Sequence, residues 1–423
     1  MRAPGAEHGP GPIAVAQNPR PGGSSSMIGL KRRSPGDLRR SGLEGVTAVA
    51  LIGSLAGCGR PVEPIDPVAA IDAAAAGEEA VLATDRPTAL IAESVPEIRA
   101  VLPTAPQPSS LAVSADGRLL AVGDKRGVAL WDLEPPAHRA TLQGQPALVS
   151  AVAFDPSGRT LATVGYESSP EFAAVLMRWD TGALGTGRVV LKSPDQIATM
   201  RFSPDGSTLV LGTEDEEDAG RVAFLDVESG ELEVLGATLK TTVSRLAVAP
   251  AGDRVAASSW RTVNYSDQGE LVLFDSSSKE EVARPGSGIG RINDLAFSPD
   301  GTTLAVACQR PGGEWTVLRF DAATGAAREP VDTPSVEVSS LAFSPDGSLL
   351  AMGAHDGAIR LLELGSGAML QGPSYHRGAA VLLAFSPDGR TLLSAALDRQ
   401  VALWDVPLLQ KTGRAGASAA GKE

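Results

Sequence analysis

The chain has 423 residues and a formal net charge of −13, an acidity that excludes the basic stripe of a nucleic-acid binder. Its hydrophobic content of 43% supplies a sizeable core, while aromatics make up only 4% and Gly (47) and Pro (31) abound, as in folds built from many short strands and tight turns. Two cysteines, Cys58 and Cys308, provide no disulfide framework, and Cys308 reads as a small apolar core residue.

Residues 1–26 are rich in Pro, Gly and Ser and show no periodic pattern, so Met27 is a candidate functional start. A basic segment follows, with Lys31, Arg32, Arg33, Arg39 and Arg40, and then an uncharged, largely apolar run from Gly45 to Gly57. At thirteen residues that run is too short to span a bilayer, but it suits the hydrophobic region of an export signal. It ends in Leu55-Ala56-Gly57-Cys58, which resembles the signal box of bacterial lipoproteins. The resemblance implies that residues 1–57 are a leader and that Cys58 is lipidated and becomes the mature N-terminus. The protein would then be anchored in the cell envelope, facing the periplasm or the exterior; an unprocessed leader would leave it cytoplasmic. Residues 58–95, with Pro61, Pro64, Pro67 and the alanine patch 73–76, read as a tether.

From residue 96 to 407 one pattern returns. Phe202-Ser203-Pro204-Asp205-Gly206 recurs letter for letter at Phe297–Gly301, Phe343–Gly347 and Phe385–Gly389. Phe154–Gly158 is close, and Val113–Gly117 and Val248–Gly252 are weaker copies. The seven copies stand about 41 to 49 residues apart, the spacing of propeller blades. Each is a tight turn between strands: Pro fixes φ and Gly supplies the left-handed conformation. A third strand in each unit closes on an apolar residue plus an acid: Trp131-Asp132, Trp179-Asp180, Leu225-Asp226, Phe274-Asp275, Phe320-Asp321, Leu362-Glu363 and Trp404-Asp405.

These paired signals resemble the WD40 family. The resemblance implies an all-β, seven-bladed propeller of four-stranded antiparallel blades. The last unit lacks a fourth strand, and a spare one lies at Glu97–Leu102, so this N-terminal strand is expected to pair with Gln400–Trp404 and complete the last blade. Residues 408–423 read as a disordered polar tail. The family's structural tetrad of His, Ser, Asp and Trp maps onto His376, Ser394, Asp398 and Trp404. The Gly-His dipeptide of the family is absent and non-His residues such as Gln145 fill the equivalent slots, so the resemblance is to a divergent member. The same turns also resemble those of TolB-like envelope propellers.

Units two to five are longer than the others between their second and third strands, at Gly165–Phe172, Thr213–Gly220, Ser258–Gly269 and Gln309–Glu314. Such connections all emerge on one face, and function on rigid scaffolds favours loops. Tyr166, Phe172, Trp260 and Tyr265 fall in this arc, Trp315 at its edge, and Tyr375 in a loop on the same face. Aromatic anchors among polar residues suit a protein interface, and the acidic run Glu214–Asp218 suits a basic partner. That run lacks the alternating acids and the Gly of a calcium loop. No metal-spaced histidines, P-loop or G-x-S-x-G elbow occur. The expectation is a non-catalytic scaffold without cofactors or catalytic residues, binding a protein or peptide. The alternative is a TolB-like component, or a hydrolase or lyase working in the central channel.

Overall fold

The computed structural model describes residues 95–420, apart from 105–107, 168–171, 186, 236–238, 265, 287–288, 332 and 334–335, with side chains through residue 413. The leader, Cys58, the tether and Tyr265 lie outside the described residues.

The described strands form seven four-stranded antiparallel sheets. In blade 1 they are Ser110–Val113, Leu119–Gly123, Val128–Leu133 and Pro136–Thr141, running from the inner edge outward. Blades 2 to 6 repeat this order. The inner strand of each blade meets the inner strand of the next, and that of blade 7 (Ala380–Phe385) meets that of blade 1, so the ring is closed. Strand Ile98–Pro103 pairs with Gln400–Asp405, in register Leu102 with Val401 and Val101 with Ala402, and supplies the outer strand of blade 7 as expected.

Buried apolar side chains gather in seven clusters, each between two neighbouring blades. The middle strands read as continuous apolar runs because both their faces are covered: Leu119–Gly123 and Leu349–Ala354 are buried throughout. Cys308 sits inside the cluster between blades 4 and 5, fully buried, and desolvation pushes its thiol pKa up to about 12.

The turn motif does two things. Within a blade, Ser203 Oγ donates to Asp205 Oδ1 (2.5 Å) and accepts from the Thr208 amide (3.0 Å), while Asp205 also accepts from the Ser207 amide (3.1 Å). Ser298, Ser344 and Ser386 repeat this with Asp300, Asp346 and Asp388. Between blades, the Pro of one turn lies over the Gly of the next. A methyl group on Gly206 would stand 3.1 Å from Pro156, on Gly252 3.2 Å from Pro204, and on Gly117 3.2 Å from Pro387 of blade 7. These glycines also hold φ near +70° (+75°, +75° and +72°), which disfavours any other residue. The weak copy in blade 4, Val248–Gly252, has no Ser or Asp, yet it keeps the Pro, the Gly and the amide bond from Gly252 to the Ala249 carbonyl (2.8 Å).

Two expectations need correction. In blade 4 the extra length is strand rather than loop: Arg254–Val263 and Ser266–Asp275 pair over ten residues each. The segment supports a ladder because Thr262 and Val263 are β-branched and Thr262 Oγ1 bonds Asp267 Oδ1 (2.6 Å). At the C-terminus, Val406–Ala420 is helical over residues that read as a disordered tail. Asp405 caps it by accepting from the Leu408 amide (3.0 Å), and Val406 and Leu409 are buried with Ile359 and Leu370 of blade 6. The apolar positions 406 and 409 are three apart, a helical repeat too short to stand out in the sequence.

Leu102 is fully buried in the closing strand. Leu102→Ala is expected to lower stability by about 2–5 kcal/mol in urea denaturation. Leu232→Ala, on the exposed outer strand of blade 3, should change it by less than ~0.5 kcal/mol.

Candidate functional site

His376, Ser394, Asp398 and Trp404 meet inside blade 7. Trp404 Nε1–H donates to Ser394 Oγ (2.8 Å), His376 Nε2 lies 2.6 Å from the same oxygen, and His376 Nδ1 lies 3.0 Å from Asp398 Oδ2. Hydrogen-bond accounting assigns Nδ1–H to Asp398 and leaves Nε2 to accept from the serine. Burial pushes the Asp398 carboxyl up, but bonds from His376 and from the Arg377 and Gln400 amides outweigh it and hold it below its usual range. The composition is that of a hydrolytic triad, but Ser394 is 0% exposed and His376 4%, so no substrate reaches the hydroxyl. The set ties the connection before the inner strand to the second and third strands of the blade.

Blades 1 and 2 keep part of the set. In blade 2, Trp179 Nε1–H donates to Thr163 Oγ1 (2.8 Å), and Thr163 bonds Gln145, which stands where the histidine would. In blade 1 the register places Val122 in the serine slot, and the buried Trp131 indole N–H has no partner among the described residues. Its ring meets His138 edge-on at 5.1 Å instead.

The aromatic arc is narrower than the sequence suggests. Tyr166 is core, not surface: it is 7% exposed, its hydroxyl donates to the Ile197 carbonyl (2.8 Å), and burial pushes its pKa up to about 12. Alternation along Thr160–Glu167 turns it toward blade 3. Phe172 stacks on it at 5.3 Å and stays 45% exposed. Trp260 is half-buried, with the Arg291 guanidinium 4.6 Å over its ring. Trp315 is half-buried at the start of its strand. Tyr375 packs edge-on to His376 (5.4 Å) and Trp404 (6.1 Å) and belongs to the surroundings of the tetrad.

Beside the outer half of the blade 4 hairpin lies a cleft of about 370 Å³, lined by Lys240, Arg261, Asp267, Glu270, Ile289 and Pro311 among others. Lys240 Nζ pairs with Glu270 across it (2.7 Å). The acidic run is split in role. Asp215 accepts from the Glu217 and Ala219 amides and pairs with Arg221 (2.6 Å), so it holds the turn. Glu216, Glu217 and Asp218 point outward, exposed. Among the described residues no three His, Cys, Asp or Glu side chains gather as a metal site.

A polar group that the sequence reading misses lies on the inner strands. Six of them place Ala before the first residue of the turn motif: Ala112, Ala153, Ala247, Ala296, Ala342 and Ala384; in blade 3 the residue is Arg201. Arg245 and Asp294, on the next two inner strands, stand 3.9 Å apart (Nε to Oδ1). Aligning the seven repeats column by column exposes Arg201 as the exception.

A model described as the anaphase-promoting complex subunit 4 WD40 domain matches residues 315–382, and one described as the WD domain, G-beta repeat, matches residues 375–405. The C-terminal blades are thus similar to WD40 repeats. No curated protein matches the chain. Among solved structures, a chain of hydrazine synthase from Kuenenia stuttgartiensis is similar, at 16% identity and a TM-score of 0.61, covering 71% of this chain and 96% of that one. That likeness is one of fold.

The tetrad is a buried hydrogen-bond set internal to blade 7. Ser394→Ala strips the Trp404 indole and His376 of their shared partner in a buried site, and it should cost about 2–4 kcal/mol in urea denaturation.

Proposed function

We propose that this WD40-type propeller is a non-catalytic scaffold that docks a protein or peptide on the face where the second-to-third-strand connections of blades 2 to 5 emerge. The observation that carries the reading is the pairing on that face of accessible aromatics, Phe172 and Trp260, with a hairpin of two ten-residue strands and the cleft beside it. Aromatics that are rigid and half-exposed supply the anchors of an interface, because their burial on binding costs little side-chain entropy. The exposed Glu216, Glu217 and Asp218 beside them favour a basic partner through steering rather than through buried contacts. Binding through loops on a closed ring needs no movement of the ring itself.

The location we infer rests on the sequence alone. The basic segment, the apolar run 45–57 and Cys58 support export and lipid anchoring in a bacterial envelope, with residues 58–95 as the reach between lipid and propeller. The lipid would hold the protein at one surface, and the acidic face would meet partners there.

The docking face is tested by a triple variant, Phe172→Ala, Trp260→Ala and Trp315→Ala, in crosslinking capture from host membranes. A discrete partner held by the wild type should bind the folded variant roughly 30-fold or more weakly, the loss of about 2 kcal/mol typical of an anchor residue. Equal capture by both proteins would show that the arc is ordinary surface. For the location, Cys58→Ala should move the protein from the membrane fraction to the soluble fraction on cell fractionation. Equal distribution of variant and wild type would remove the lipid anchor.

A further inference from the structure

One side of the blade 4 hairpin faces blade 3. Val255 and Ala257 of its first strand and Val272 and Phe274 of its second pack there against Val210, Val222 and Phe224. Side chains alternate along a strand, so Ser259 and Arg261 continue the first row on that side, and Glu270 and Gln268 the second. The register sets Ser259 opposite Glu270 and Arg261 opposite Gln268. All four line the cleft of about 370 Å³, a volume in the range of ligand pockets. The apolar ladder of the blade thus turns polar where it leaves the core, and that polar stretch borders the cleft.

The polar groups of this wall divide into spent and unspent. Glu270 accepts from the Lys240 amide (2.9 Å) on one oxygen and from Lys240 Nζ (2.7 Å) on the other, so these two charges answer each other. Asp267 also borders the cleft and accepts from Thr262 Oγ1 (2.6 Å); it alternates with Leu271 and Leu273 on the side toward blade 5. Arg261, by contrast, has no carboxylate within 4.0 Å and no hydrogen-bond partner among the described residues. Ser259 is 1% exposed, yet its hydroxyl is likewise without a partner among the described residues. A side-chain hydroxyl that deep is ordinarily hydrogen-bonded; this one lines the cleft instead.

We infer that the cleft takes a carboxylate of the docked partner, with Arg261 as its counter-ion and the Ser259 hydroxyl and Gln268 amide as further donors. The inference rests on the docking reading and specifies the partner's chemistry. A guanidinium fork matches a carboxylate in a bidentate way, whether that group is an acidic side chain or a chain end. The charge count favours a monoanion. Lys240 and Arg261 against Asp267 and Glu270 sum to zero, so a carboxylate leaves the cleft one unit negative, whereas a phosphate dianion leaves it two. Glu216, Glu217 and Asp218 of blade 3 stand exposed on the same loop face and attract cations. The partner segment is therefore basic with one acidic group, a mixed pattern that discriminates against segments of either charge alone.

The test uses the purified full chain and three labelled peptides, followed by fluorescence polarisation at low ionic strength. The first is Lys-Arg-Ala-Glu-Ala-Arg-Lys, acetylated and amidated. The second has Gln in place of Glu, and the third is the Gln peptide with a free C-terminal carboxylate. The first or the third should bind about 10- to 100-fold more tightly than the second, the worth of a hydrogen bond to a charged group. Preference for the first alone assigns a side-chain carboxylate, for the third alone a chain end. In Arg261→Ala the preference should vanish while the affinity for the Gln peptide stays that of the wild type. Arg261→Lys, which keeps the charge without the fork, should retain part of it. Arg261 leaves no partner orphaned, so both variants should melt as the wild type does. Equal affinity for the three peptides would overturn the carboxylate site; if Trp260→Ala then removes that binding, the docking face still stands. A preference that survives in Arg261→Ala would overturn the assignment to this cleft. Binding of none of the peptides would overturn the site together with the basic partner of the docking reading.

Discussion

The structure depends on one contact made seven times with variations: the turn between first and second strands, leaning on the same turn of the next blade. Inside a blade, Ser and Asp close the turn with side-chain bonds to the amides that follow. Between blades, Pro fills the space that a glycine without Cβ leaves open. The two tasks fall to different residues and separate when the sequence drifts. Blade 4 loses Ser and Asp but keeps Pro and Gly; blade 1 keeps Ser114 and Asp116 but has Ala115 in the proline's place. No single turn needs every feature as long as the ring of contacts is unbroken.

Much of the architecture is legible in the sequence because the turn signals are local. Pro, Asp and Gly within four residues dictate a backbone, and repetition at a constant spacing excludes coincidence. The closing strand is legible for another reason: the last repeat is one strand short, and Glu97–Leu102 stands unused. Less legible is whatever depends on what lies across a gap. Tyr166 reads as a surface aromatic because nothing in its own blade says that the Ile197 carbonyl waits opposite. The C-terminal helix is invisible because its apolar contacts, Ile359 and Leu370, belong to another blade. The hairpin of blade 4 reads as loop because polar residues dominate Ser258–Glu270 and no apolar alternation marks a strand.

The internal hydrogen-bond set shows how such a fold tolerates divergence. Blade 7 keeps four members, blade 2 keeps a Thr, a Gln and a Trp, and blade 1 keeps the Trp with its indole N–H unpaired among the described residues. An unpaired buried donor costs about 1–3 kcal/mol, a sum that a ring with seven apolar interfaces absorbs. The complete set sits in the blade assembled from both ends of the chain, where no continuous backbone links the outer strand to the other three. A lost serine leaves an orphan, whereas Arg201 adds a charge at a position where the other six repeats have Ala.

The pairing of Ile98–Pro103 with Gln400–Asp405 has a consequence for how the molecule comes into being. The two strands lie roughly 300 residues apart, so at about 5–20 residues per second the first waits some 15 to 60 s for its partner to be synthesised. During that interval six blades can form, but the arc stays open and a strand edge is unpaired at its leading end. Nothing before the seventh repeat can seal the ring, so the last step of ring assembly waits for that repeat to be made. A truncated chain would carry an open edge for its lifetime, and quality control could recognise it by that edge alone.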